Sequence, residues 1–147
     1  MATEDYESEE RTMSYRLEGA YSIYKYIQID CFYNGRGKLT YEFYKGHIPS
    51  NEEKQGMIFF NLDETVIKKL DSLYKEADFC SLNFIDLNKN KLRFTDIGIT
   101  TLTYICKGKE TKFSYTYLKE NPLKELVKLY SKIAVRYLPP VQRIRSY

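Results

Sequence analysis

Apolar and polar positions alternate with a period of two between residues 26 and 44. Ile27, Ile29, Cys31 and Tyr33 interleave with Tyr26, Gln28, Asp30 and Phe32; Leu39, Tyr41 and Phe43 interleave with Thr40, Glu42 and Tyr44. Two strands therefore flank YNGRGK. A one-residue slip in a hairpin sends a whole strand's side chains to the other face, so matching these apolar sets requires a loop of odd length. Gly35-Arg36-Gly37, centred on Arg36, supplies one, with Gly37 as the left-handed residue that a three-residue hairpin needs. A phosphate-binding glycine loop leads from a strand into a helix, whereas this loop leads into LTYEF, a strand. The stretch is predicted to turn the chain.

Residues 45–56, KGHIPSNEEKQG, read as a loop, and Met57-Ile58-Phe59-Phe60 as a third strand. Asn61 with Glu64 three residues later has the form of a capping box, opening a helix whose apolar stripe is Val66, Ile67, Leu70, Leu73, Tyr74 and Ala77. Phe79-Cys80-Ser81-Leu82 precedes a polar segment, Asp86 to Asp96, that reads as a turn with Lys91–Phe94 as a possible short edge strand. Leu102, Tyr104 and Cys106 then face Phe113, Tyr115 and Tyr117 across an even-numbered loop, which Gly108-Lys109 provides as a type II′ turn. Asn121 as cap and Pro122 at the first helical position start the last helix, with Leu123, Leu126, Val127, Tyr130, Ile133, Ala134 and Tyr137 at helical spacing; Pro139-Pro140 ends it. The predicted order is β-β-β-α-(β)-β-β-α. It implies an α+β two-layer sandwich: an antiparallel sheet of about five strands with two amphipathic helices on one face.

The segments TYEFYKG, LYKEADFCSL, TDIGITTLTYICKGKETKFSY and PLKELVKLYSKIA resemble a family of small bacterial α+β domains, over about residues 22–135. Members of that family often follow a lipoprotein or secretory leader. The resemblance implies the same fold and brings no activity or functional residue.

Charge divides the chain. The first ten residues hold Glu4, Asp5, Glu7, Glu9 and Glu10 and no base, so the rest is more basic than the net +3 suggests. Residues 1–14 read as an acidic disordered tail, 15–138 as one domain and 139–147 as a basic tail. At 147 residues a single core suffices without disulfides or metal. No run approaches the roughly 20 apolar residues of a membrane helix, so membrane insertion is not expected. The acidic start differs from a secretory leader, and the chain reads as cytoplasmic, or as secreted or periplasmic if a leader was removed. Cys31, Cys80 and Cys106 form no metal-ligand spacing and are odd in number, which suggests buried thiols.

Four groups carry candidate chemistry. A hairpin centred on Arg36 sets Asp30 opposite Glu42, two carboxylates about 5 Å apart that a shared proton, Mg²⁺, Ca²⁺ or nearby lysines would accommodate. His47, the only histidine, lies in a polar loop; with Cys31 or Cys80 it is the one possible nucleophile pair, and no oxyanion loop accompanies it. Lys124, Lys128, Lys132 and Arg136 recur every four residues, with Arg143 and Arg145 beyond them, a stripe that could meet nucleic-acid phosphates or simply face water. Tyr24, Tyr26 and Tyr44 point outward in the predicted sheet, and tyrosine is a residue type that anchors protein interfaces. With no catalytic set, metal site or cofactor motif, the expected function is a non-enzymatic protein-binding or accessory module of inhibitor or immunity type. Its expected partner is a protein or a second copy. Nucleic-acid binding through the last helix is the first alternative, and an enzyme or cation site at Asp30 and Glu42 the second.

Overall fold

The computed structural model describes residues 13–19, 23–49, 52–82, 98–116 and 121–138. Six strands, β1 (Met13–Glu18), β2 (Tyr24–Cys31), β3 (Arg36–Phe43), β4 (Gln55–Asn61), β5 (Ile99–Cys106) and β6 (Lys109–Tyr115), form one sheet in the order β4-β3-β2-β1-β5-β6. Every neighbouring pair is antiparallel. Helices α1 (Glu64–Glu76) and α2 (Lys124–Tyr137) bury Ile67, Leu70 and Tyr74, and Leu126, Tyr130, Ile133 and Ala134, in a core shared with the sheet. The α+β class and the two amphipathic stripes are as the sequence predicts; the strand count and order are not.

The added strand is β1, the hub of the sheet, hydrogen-bonded to β2 on one side and β5 on the other. A tail boundary at residue 14 cuts into it. Its alternation is present, since Met13 and Tyr15 are buried on the side of Leu17 while Arg16 and Glu18 are polar. Six residues beside an acidic run give a weak signal. The predicted strand at 91–94 and the turn at 86–96 lie outside the described residues, and Phe79–Ser81 is a single 3₁₀ turn.

Both hairpins keep the predicted parity and shift their register. In the first, Ile29 pairs with Leu39 and Cys31 with Gly37, which centres the hairpin on Asn34 instead of Arg36. Gly35 takes the left-handed conformation at φ +90°, its amide donates to Phe32 O, and Asn34 Oδ1 accepts from the Arg36 amide. Asn-Gly is the stronger turn signal, because the asparagine side chain closes a local hydrogen bond and glycine tolerates positive φ. Gly37, freed from the turn, sits in β3, where the Phe60 ring crosses it so closely that a Cβ would clash with the ring. In the second hairpin Cys106 pairs with Lys109, so the loop is Lys107-Gly108, with both φ values positive, a type I′ turn in place of the expected II′.

The helix starts also differ in detail. Asn61 closes β4 and Asp63 takes the cap position of α1. Asn121 does act near the start of α2: its Oδ1 accepts from the Leu123 amide at 2.8 Å, and the regular helix begins at Lys124.

Two covalent and polar ties complete the core. Cys80 and Cys106 form a disulfide joining the 3₁₀ turn to the end of β5, which corrects the reading of three thiols; Cys31 stays outside the bridge and is buried. Tyr74 of α1 and Tyr130 of α2 meet hydroxyl to hydroxyl at 2.8 Å, and Tyr74 also donates to Ser14 O of β1. Tyr130 therefore donates to the Tyr74 oxygen.

That chain of donors predicts an asymmetry. Tyr74→Phe strands the buried Tyr130 hydroxyl and is expected to cost about 1–3 kcal/mol, whereas Tyr130→Phe leaves Tyr74 bonded to Ser14 O and costs about 0.5–1.5 kcal/mol. Urea unfolding of both variants measures this; equal losses would refute the assigned direction. For the disulfide, thiol titration of the unfolded, unreduced protein should find one reactive group per chain, and reduction should lower stability by about 2–4 kcal/mol.

Candidate functional site

Because side chains alternate across a strand, burying the odd positions of β2 and β3 under the helices places the even ones on the opposite, outer face. Ser14, Arg16, Gln28, Asp30, Lys38, Thr40, Thr101, Thr103, Lys112 and Ser114 line that face by register. Arg16 Nη1 donates to Gln28 Oε1 at 2.7 Å, and Gln28 Nε2 donates to both oxygens of Asp30 at 3.1 Å. The Arg16 guanidinium also lies 4.1 Å above the Tyr26 ring. Asp30 is 1% exposed and Thr103 2%, so the middle of this face is a closed polar layer. A depression of about 70 Å³ beside it is lined by Ser14, Arg16, Gln28, Thr101, Thr103 and Lys112.

Toward β4 the character changes. Met57 and Phe59, opposite Thr40 and Lys38, are 55% and 64% exposed. At the end of the strand a depression of about 360 Å³ is lined by Arg36, Gly37, Phe59, Phe60 and Asn61. The strand carrying these side chains is firmly held. Phe60 crosses Gly37 on one side and stacks on Tyr137 of α2 at 4.3 Å, and Tyr41 lies against Gly56.

The tyrosines singled out in the sequence do not share one surface. Register between β2 and β3 shifts at Tyr24, which turns to the core side and stacks on Phe43 at 4.7 Å with its edge to Tyr41. Tyr26 stays outside under Arg16, and Tyr44 follows β3 with its ring against His47. The most exposed aromatic among the described residues is Phe59, which the sequence places in a strand without showing that the strand lies at the margin of the sheet.

The carboxylate pair is likewise undone by register. Asp30 faces Lys38, and Glu42 faces Tyr26 and pairs with Lys25 at 3.6 Å. Four residues of β3 separate the two sites, about 13 Å along the strand. Among the described residues no group of three or more His, Cys, Asp or Glu side chains could hold a metal ion. His47 follows the far end of β3 from Cys31, whose thiol burial pushes up to about 12, and Cys80 is in the disulfide, so no Cys/His nucleophile pair assembles. Lys124, Lys128, Lys132 and Arg136 are all exposed on α2, in the layer opposite the outer sheet face; Lys128 pairs with Glu125 at 3.5 Å and Arg136 lies over Tyr137.

One polar cluster on the helix side escaped sequence reasoning. Asp71 of α1 accepts from Tyr104 of β5 and from Tyr33 in the first turn, and pairs with Lys75 at 2.9 Å. Burial raises both phenols, and the Asp71 carboxylate raises them further. Burial alone would raise Asp71 too, but bonds from Tyr104, Lys75 and Tyr33 outweigh it and hold the carboxyl below its ordinary range. These shifts run away from neutrality, opposite to what proton transfer requires. The cluster clamps α1 to the sheet. Its members come from three elements far apart in the chain, so no local spacing announces it.

No protein-family model matches the chain, and no curated protein does. No helix of the described residues is long and apolar enough to cross a membrane.

The clamp has a definite pH sign. A carboxylate with a lowered folded pKa stabilises the fold above its unfolded value near 3.9, and that stability is lost as pH falls toward the folded value. Asp71→Asn should therefore flatten the stability profile below about pH 4. Chemical unfolding of both proteins across that range checks it; parallel acid limbs would remove Asp71 from the account.

Proposed function

We propose that this protein is a non-enzymatic binding module that meets a protein partner through the β4 end of its outer sheet face. The observation that carries the reading is the pair Met57 and Phe59, large apolar side chains held exposed on an anchored strand beside a polar, hydrogen-bonded surface. An apolar centre with a polar rim is the composition of a protein interface, and aromatic and methionine side chains are enriched there. The dispersal of Asp30, Glu42, His47 and the cysteines supports a role without catalysis, of the accessory, inhibitor or immunity kind. The Cys80–Cys106 disulfide supports an oxidising compartment, secreted or periplasmic, over the cytoplasm.

The basic stripe on α2 supports a second reading, nucleic-acid binding, through Lys124, Lys128, Lys132 and Arg136. The two surfaces lie on opposite layers, so one comparison separates them. Full-length protein, a Met57→Lys/Phe59→Lys variant and a Lys124→Glu/Lys128→Glu/Lys132→Glu variant are used as bait and tested on a DNA matrix in rising salt. Retention of a protein lost only in the sheet variant is the expected result. Salt-sensitive DNA retention lost only in the helix variant would replace this reading with the second.

A further inference from the structure

The β4 margin offers more than two apolar side chains. In an antiparallel ladder, residues alternate between pairs that exchange both backbone hydrogen bonds and pairs that exchange none. Phe43 N donates to Lys54 O at 2.8 Å and Leu62 N to Gly35 O at 2.7 Å, which fixes the phase: Gly56, Ile58 and Phe60 bond to β3. Gln55, Met57, Phe59 and Asn61 then direct their amides and carbonyls away from the sheet. The Tyr137 hydroxyl reaches Asn61 O at 3.3 Å, in agreement with that phase, and marks where this margin ends.

Exposed margins invite another strand, and proteins guard them with lysine, proline or bulges. The margin at β6 carries Lys109, Glu110 and Lys112. From Gly56 to Phe60, β4 has no charge, no proline and an unbroken register with β3. It is built to be paired.

We propose that β4 pairs antiparallel with β4 of a second copy of this chain, joining two six-stranded sheets across a two-fold axis. This deepens the reading above, on which it rests, by naming the protein that meets the surface. Two features favour a second copy as the occupant. The strand is self-complementary: with the axis at Ile58, Met57 of each copy opposes Phe59 of the other in hydrogen-bonded positions, and all four side chains gather on the outer face. The alternation of outward groups admits only registers in which odd residues meet odd, which self-pairing satisfies.

Position 57 gives a selective test. Its amide points outward, so Met57→Pro removes a donor from the margin without breaking the bond of any β3 residue, and Gly56 before it tolerates the restriction that proline imposes. Sedimentation of the full chain over a wide concentration range should show a dimer, weakened about tenfold or more by Met57→Pro, with far-UV circular dichroism unchanged. Should that variant unfold, Met57→Lys/Phe59→Lys tests the same contact by charge. Amide hydrogen exchange reads the contact directly in the wild-type protein: Met57 and Phe59 should gain protection as concentration rises, while Ile58 and Phe60 are protected throughout. A wild-type monomer at every concentration, or a dimer that withstands both variants, overturns the self-pairing. If a partner captured through Met57 and Phe59 is still found in that event, the binding-module reading survives alone; if neither appears, both fall.

Discussion

The arrangement of the two layers rests on three oxygens in a line: Ser14 O on the central strand, the Tyr74 hydroxyl from α1 and the Tyr130 hydroxyl from α2. Aromatic rings stack around them. Tyr15 lies on Tyr130 at 5.2 Å, Tyr104 on Tyr74 at 4.4 Å, and Phe79 edges Tyr74 at 5.1 Å. Two phenols buried this deeply must bond to something, since no water reaches them. Each helix is thereby held to a single rotation about its axis, and both are referred to β1. The constraint is directional where the surrounding apolar packing is not.

With the helices fixed on one side, the opposite side and the margins of the sheet carry the side chains that the sheet itself turns outward. The middle of the outer face is spent on itself: Arg16, Gln28 and Asp30 satisfy one another, and Asp30 is sealed. Register sets Asp30 opposite Lys38 and Glu42 opposite Tyr26, with Lys25 paired to Glu42. At the β4 end, two glycine–aromatic pairs keep the strand in place while Met57 and Phe59 stand exposed.

The periods of the chain carry much of this fold in plain view. Alternation at 26–44 and 102–117 demands strands and fixes which side chains share a face, because parity survives any shift of a hairpin by whole pairs. Helical spacing at 66–77 and 123–137 likewise determines the buried stripes, since the amphipathic face depends only on the order of residues. The α+β class follows from those two periods together. Turn chemistry was legible as well, in Asn34-Gly35, but the competing pattern Gly35-Arg36-Gly37 satisfies the same parity and differs only in backbone energy.

Tertiary structure decided the rest. Whether β4 lies inside the sheet or at its margin depends on which strands flank it, and β1, a six-residue strand with little local signal, takes the centre by pairing with β2 and β5. Register, not composition, separates Asp30 from Glu42 and sends Tyr24 to the core while Phe59 faces out. The disulfide and the Asp71 clamp depend on distances between segments far apart in sequence. Local patterns encode which way a residue faces along its own element; what it faces is set by the order in which elements meet, and that is a property of the whole chain's packing.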